Sequence, residues 1–124
     1  MRGTPAIDLK FLDRADLPVR RFVAGQTILA EGEAAREMFV VRKGFADITV
    51  GGETVERIGP GGIFGEMALI DHAPRSALVV AGEDYETVSI DERLFTILVQ
   101  DRPEFALTVM RVLAGRLRAM NARA

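Results

Sequence analysis

The chain is 124 residues long, 48% apolar and 27% charged, with 16 basic against 18 acidic residues and a formal charge of −2. That length and apolar content suit one globular domain, and the balanced charge excludes a chain that holds nucleic acid by bulk electrostatics. With no cysteine and a single histidine, His72, disulfides, thiolate metal sites, cysteine nucleophiles and multi-histidine centres are excluded.

The opening MRGTPAIDLK has no apolar signal core, and no apolar run approaches the roughly 18 residues of a membrane span, so a cytoplasmic protein is expected. Ile7, Leu9, Phe11 and Leu12 recur at helical spacings before Pro18, which predicts a short N-terminal helix over 7–17. From Arg21 the texture changes to short apolar runs punctuated by glycine. Strands are predicted over 22–23, 27–29, 38–41, 46–50 and 54–58, with Gly25, Gly32, Gly44 and the pair Gly51-Gly52 between them. A two-residue Gly-Gly between alternating segments predicts a tight hairpin, because the primed turns need positive φ. After Gly59-Pro60-Gly61-Gly62 comes an apolar segment over 64–70, then strands over 77–81 and 85–90. Seven or eight short strands at this spacing point to a sandwich, jelly roll or small barrel. Asp91 can cap a helix reaching about Gln100, and Asp101 with Pro103 is read as the start of a second.

Two phosphate motifs fail on inspection. A dinucleotide fingerprint would need glycine where Phe64 stands, and a P-loop needs a lysine after the glycines, whereas the only lysines are Lys10 and Lys43. What stands there is Gly65-Glu66-Met67-Ala68-Leu69-Ile70, then Asp71-His72-Ala73 and Pro74-Arg75-Ser76-Ala77. The glycine can open a short helix whose free N–H groups face an anion. Glu66 can accept from sugar hydroxyls, and Arg75, nine residues on, offers a planar donor fork for a phosphate. One arginine and one helix start match a singly charged phosphodiester better than a triphosphate, and the neighbouring carboxylate repels higher charge. No acidic cluster offers to hold magnesium.

The segment FGEMALIDHAPRSA resembles the phosphate-binding cassette of cyclic nucleotide-binding domains, found in protein kinase A regulatory subunits, cyclic-nucleotide-gated channels and the catabolite activator protein. The glycines at 25, 32, 44, 59 and 61, the strand Met38-Phe39-Val40-Val41 and the late helix PEFALTVMRVLAGRLR carry the resemblance over roughly 20–120. It implies a mainly β fold with flanking helices: an eight-stranded, jelly-roll-like β-roll (a double-stranded β-helix) with a short N-terminal helix and C-terminal lid helices. The expected organisation is one domain over 1–124, with the roll at 20–90, the cassette at 61–77 and the helices at 91–124. The resemblance assigns Glu66 to the ribose 2′-hydroxyl and Arg75 to an exocyclic phosphate oxygen. Gly65 and Ala68 would contribute backbone groups at sugar and phosphate, with Met67 between them in the cassette, and Ser76 and Ala77 would close the phosphate pocket.

Taken singly, Arg75 could be a surface arginine paired with Asp71 or Asp84, and Glu66 could merely complement a helix start. Together with the glycines and the spacing, ligand binding is the stronger reading. In the family it resembles, members preferring cGMP often carry threonine after the arginine; Ser76 has the hydroxyl without the methyl, so it only weakly opposes cAMP. His72 reads as a solvated loop residue. No metal ligand set, nucleophile–base pair or carboxylate dyad stands out, so no enzyme, metal or further cofactor is expected.

The activator branch follows its last helix with a DNA-reading helix-turn-helix, for which too little sequence follows here, so this chain alone is not expected to bind DNA. Arginines 111, 116, 118 and 123 make the final helix basic and read as a solvated face complementing the helix dipole. Ala106, Met110, Leu113, Leu117 and Met120 form one seam, and Phe105, Val109 and Val112 a second apolar edge. The wide face either covers the mouth of the roll, or the edge packs inward while Met110, Leu113 and Leu117 serve as a lid or a weak dimer seam. The expected function is a cAMP sensor that signals to an effector protein through movement of this helix. A ligand-free assembly module of the same fold, or a piece of a larger channel or regulator, stays open beside it.

Overall fold

The computed structural model describes residues 6–11, 16–72, 74–75 and 77–123. The glycine-punctuated runs become eight strands: β1 (Val19–Phe22), β2 (Thr27–Leu29), β3 (Glu37–Lys43), β4 (Ala46–Val50), β5 (Glu53–Ile58), β6 (Ile63–Phe64), β7 (Leu78–Ala81) and β8 (Tyr85–Asp91). They form two antiparallel four-stranded sheets, ordered β1-β8-β3-β6 and β2-β7-β4-β5. This is the expected eight-stranded roll. Gly51 and Gly52 take φ of 60° and 83° between the paired residues Val50 and Glu53. Both turn residues thus occupy the left-handed region that a primed hairpin demands.

The unbroken apolar run at 38–41 has a specific cause. Alternate residues of a strand face opposite sides of its sheet, and here both sides are covered. Phe39 and Val41 enter a core between the sheets with Phe22, Ile28, Leu29, Ile48, Phe64, Val79 and Tyr85. Met38 and Val40 enter a second core with Ile63, Val88, Ile90, Leu98, Phe105, Val109 and Val112. The helices α2 (Glu92–Asp101) and α3 (Glu104–Arg123) therefore lie on the outer face of the first sheet, not over the mouth of the roll.

As expected of a glycine that can open a short helix, Gly65 separates β6 from a four-residue helix, α1 (Met67–Ile70). Two other boundaries differ from the sequence reading. Asp101 ends α2 instead of starting the next helix. Arg102 adopts φ −143° and ψ 93°, the extended conformation favoured before proline, and α3 begins at Glu104. The Asp91 cap is as expected, its side chain accepting from the Leu94 amide at 2.8 Å. At the N-terminus, residues 9–11 form a turn, with the Phe11 amide donating to the Asp8 carbonyl at 3.0 Å. Leu12 and residues 13–15 of the predicted helix lie outside the described residues. Ile7, Phe11 and Leu17 are buried in the outer core.

Candidate functional site

Gly65 builds the site. Its φ is 76°, and a Cβ there would stand 2.8 Å from Arg75 Nη1 and 3.3 Å from the Glu37 carbonyl. Glycine alone lets the arginine lie across this turn without displacement. Arg75 Nη1 donates to the Gly65 carbonyl at 3.1 Å. The Arg75 amide donates to the Glu33 carbonyl, and its own carbonyl accepts from the Gly32 amide, both at 2.8 Å. These bonds strap the cassette loop to the turn that precedes β3.

The Arg75 guanidinium lies 5.7 Å from the Phe39 ring centroid, and the residue is 9% exposed. Burial lowers its pKa, opposed by the nearby charges of Glu37, Glu33 and Glu66. An arginine so placed stays a cation. Among the described residues it forms no ion pair: its side-chain hydrogen bond goes to a backbone carbonyl. Among the described residues no ion pair joins it to Asp71 or Asp84, the pairing that would make it an ordinary surface arginine.

Glu66 precedes α1 and is 5% exposed. Its carboxylate accepts from Arg116 Nη1, which reaches in from α3. Arg116 also clamps Glu56 of β5, with Nε donating at 3.0 Å and Nη2 at 3.3 Å, and Nη2 donates to the Ile63 carbonyl at 2.5 Å. The reading of Arg116 as part of a solvated basic face is therefore corrected. Burial by itself would lower its pKa, but hydrogen bonds and charge from Glu56 and Glu66 hold it above the ordinary arginine value. The missed signal was spacing. Phe105, Val109, Val112 and Arg116 follow one another at four, three and four residues, so Arg116 continues the buried stripe of α3. Arg111 and Arg118 are exposed as expected.

The other predicted residues divide. Ala68 is buried, and its amide donates to the Gly65 carbonyl at 3.2 Å. Among the described residues, the amides of Gly65, Glu66 and Met67 in this turn have no backbone partner. Met67 is 42% exposed, and Ala77 packs half-buried against the inner core. Ser76 lies outside the described residues. His72 is an exposed loop residue with φ of 56°. On α3, Phe105, Val109 and Val112 are buried, Leu113 is half-buried, and Met110 and Leu117 are 56% and 58% exposed. The inner edge and the outer seam are thus physically distinct. A cavity of about 290 Å³, lined by Met38, Glu66, Leu69, Phe95, Thr96 and Val109, lies where α1, α2 and α3 meet. No group of three acidic, histidine or cysteine residues that could hold a metal occurs among the described residues.

The family model of the cyclic nucleotide-binding domain matches residues 19–102. A CRP-like cAMP-activated global transcriptional regulator from Mycobacterium tuberculosis is 33% identical over 81% of this chain and 47% of its own length. The cyclic AMP receptor protein of Thermus thermophilus is 30% identical over 95% of this chain and 59% of its own. The chain spans about half the length of these curated relatives. The crystal structure of Thermus thermophilus catabolite activator protein superposes with a TM-score of 0.76 at 29% identity, covering 93% of this chain and 54% of that one.

Proposed function

The chain belongs to the cyclic nucleotide-binding domain family, and from that premise we propose that it is a cAMP receptor whose Arg75 takes the cyclic phosphate. The observation that carries this reading is the Arg75 guanidinium: buried, oriented by Gly65, and without an ion-pair partner among the described residues. A buried guanidinium that the fold positions, and that no ion pair engages among the described residues, keeps donors open to an anion from outside. Glu66 sits one residue from Gly65 and supplies the acceptor for a ribose hydroxyl. Arg116 orients that carboxylate from α3. Gly65, Met67, Ala68, Ser76 and Ala77 complete the cassette around the phosphate. The carboxylate charges around Arg75, offset in part by Arg20, penalise a second negative charge on the ligand, so a monoanionic phosphodiester suits the site better than a dianion.

The output we propose runs through α3. Arg116 links that helix to both the cassette and β5, so a ligand on Glu66 bears directly on the helix. The cavity between α1, α2 and α3 leaves room for such a shift, and the exposed Met110–Leu117 seam offers an apolar face to a lid contact, a second copy or an effector protein. Two heptads are short for a self-sufficient coiled coil, so a dimer through this seam is weak. We read the protein as acting by binding rather than catalysis, in the cytoplasm, and without contacting DNA through this chain. Among the described residues no helix is long and apolar enough to cross a membrane.

A competition titration tests ligand and base preference together. A fluorescent cAMP analogue bound to the protein is displaced with cAMP and with cGMP, and cAMP is expected to compete at the lower concentration. Equal competition would leave a general cyclic-nucleotide receptor. Failure of the analogue to bind would remove the receptor reading and favour an assembly module.

A further inference from the structure

Beside Arg75 stands a second charged group that the cassette motif does not contain. Glu37 opens β3 two residues before Phe39, on the same face, and its carboxylate is held at both oxygens. Arg20 Nη1 of β1 donates to Oε1 at 3.1 Å, and Ser89 Oγ of β8 donates to Oε2 at 2.5 Å. Arg20 and Arg75 share one ring: their guanidinium carbons lie 5.6 and 5.7 Å from the Phe39 centroid. The Glu37 backbone and the Arg75 fork also converge on the same point above Gly65. Of the carboxylates acting on Arg75, Glu37 acts most strongly, yet no ion pair joins them among the described residues.

We propose that the Arg20–Glu37–Ser89 group sets the anion affinity and charge selectivity of the Arg75 site, with Arg20 as a positioning residue that keeps Glu37 from occupying the Arg75 fork. This rests on the reading of Arg75 as a phosphate site. A free carboxylate next to a free guanidinium pairs with it bidentately. With both oxygens engaged by Arg20 and Ser89, Glu37 acts on Arg75 through its charge without taking the donors. Two consequences follow. Removing Arg20 frees Oε1 to turn to Arg75, where it competes with the ligand as an internal anion. The retained charge of Glu37, beside that of Glu66, penalises a second negative charge on the ligand, so a monoanionic cyclic phosphate is accepted and a dianionic monophosphate is rejected.

The test compares wild type, Arg20→Ala, Glu37→Gln and the double variant, using displacement of a fluorescent cAMP analogue by cAMP and by 5′-AMP. At pH 8 the monophosphate, with its second pKa near 6, is a dianion. Arg20→Ala is expected to weaken cAMP about three- to tenfold. Glu37→Gln binds cAMP at least as tightly as wild type and narrows its preference over 5′-AMP by about threefold or more. The double variant follows Glu37→Gln, because the competing anion is gone. Arg20 is half exposed, and Arg20→Gln, which keeps the stem over Phe39, repeats the experiment if the alanine variant unfolds. Wild-type affinity in both Arg20 variants, or a double variant as weak as Arg20→Ala, overturns the proposal. A wild type that binds no cAMP overturns the receptor reading first and this one with it. Arg75-dependent binding that none of these variants alters overturns this proposal alone.

Discussion

Two arginines of this chain are drawn into the same corner and meet opposite fates. Arg116 is fully engaged, by Glu56, Glu66 and the Ile63 carbonyl, whereas Arg75 forms no ion pair among the described residues. The difference separates a structural cation from the one proposed to bind the ligand. Removing Arg116 leaves the buried Glu66 carboxylate uncompensated, so Arg116→Ala is expected to lose about 1–3 kcal/mol of stability in chemical denaturation. An unchanged midpoint and slope would show that the clamp contributes nothing. Arg75 was legible in the sequence because its spacing from Gly65 and Glu66 is local and characteristic. Arg116 was not, because its partners lie 50 and 60 residues away and arginines 111, 118 and 123 beside it make the helix look uniformly solvated. Glu37 escaped for the same reason: the contacts that define it come from β1 and β8.

At the scale of elements, α3 carries the proposed output. One edge of the helix is anchored by Phe105, Val109 and Val112, while Met110, Leu117 and Met120 remain more than half exposed. A helix held along one stripe, beside a cavity, can shift between docked and loosened states whose balance a ligand biases. Saturating cAMP is expected to change amide exchange over residues 103–120, and unchanged protection in that segment would contradict the helix as the signalling element. The strands were readable because two-residue alternation and left-handed glycines mark their ends, as at Gly51-Gly52. Helix starts were less readable. Asp101 has the chemistry of a cap, but Pro103 constrains Arg102 to an extended backbone and delays α3 to Glu104. The short helix after Gly65 was readable, because a left-handed glycine before a helical run marks a strand-to-helix break.

For the whole molecule, the first sheet is the common wall. Its inner face, through Phe39, supports Arg75, and its outer face, through Met38 and Val40, supports the helices. A change in the cassette and a change in the helices are therefore registered by neighbouring residues of one strand. A sandwich, jelly roll or small barrel was legible from the strand and glycine spacing, and the family, with its roll, from the resemblance of the cassette. The placement of the helices behind the sheet was not, because an apolar stripe says that a helix packs without saying on what. The central claim is that a cyclic nucleotide binds with its phosphate on Arg75. Calorimetric titration of cAMP into wild type and Arg75→Ala measures it directly. Loss of the charge partner is expected to cost about 2–5 kcal/mol, roughly thirty- to several-thousand-fold in Kd, and equal binding by the two proteins would contradict the assignment of the site.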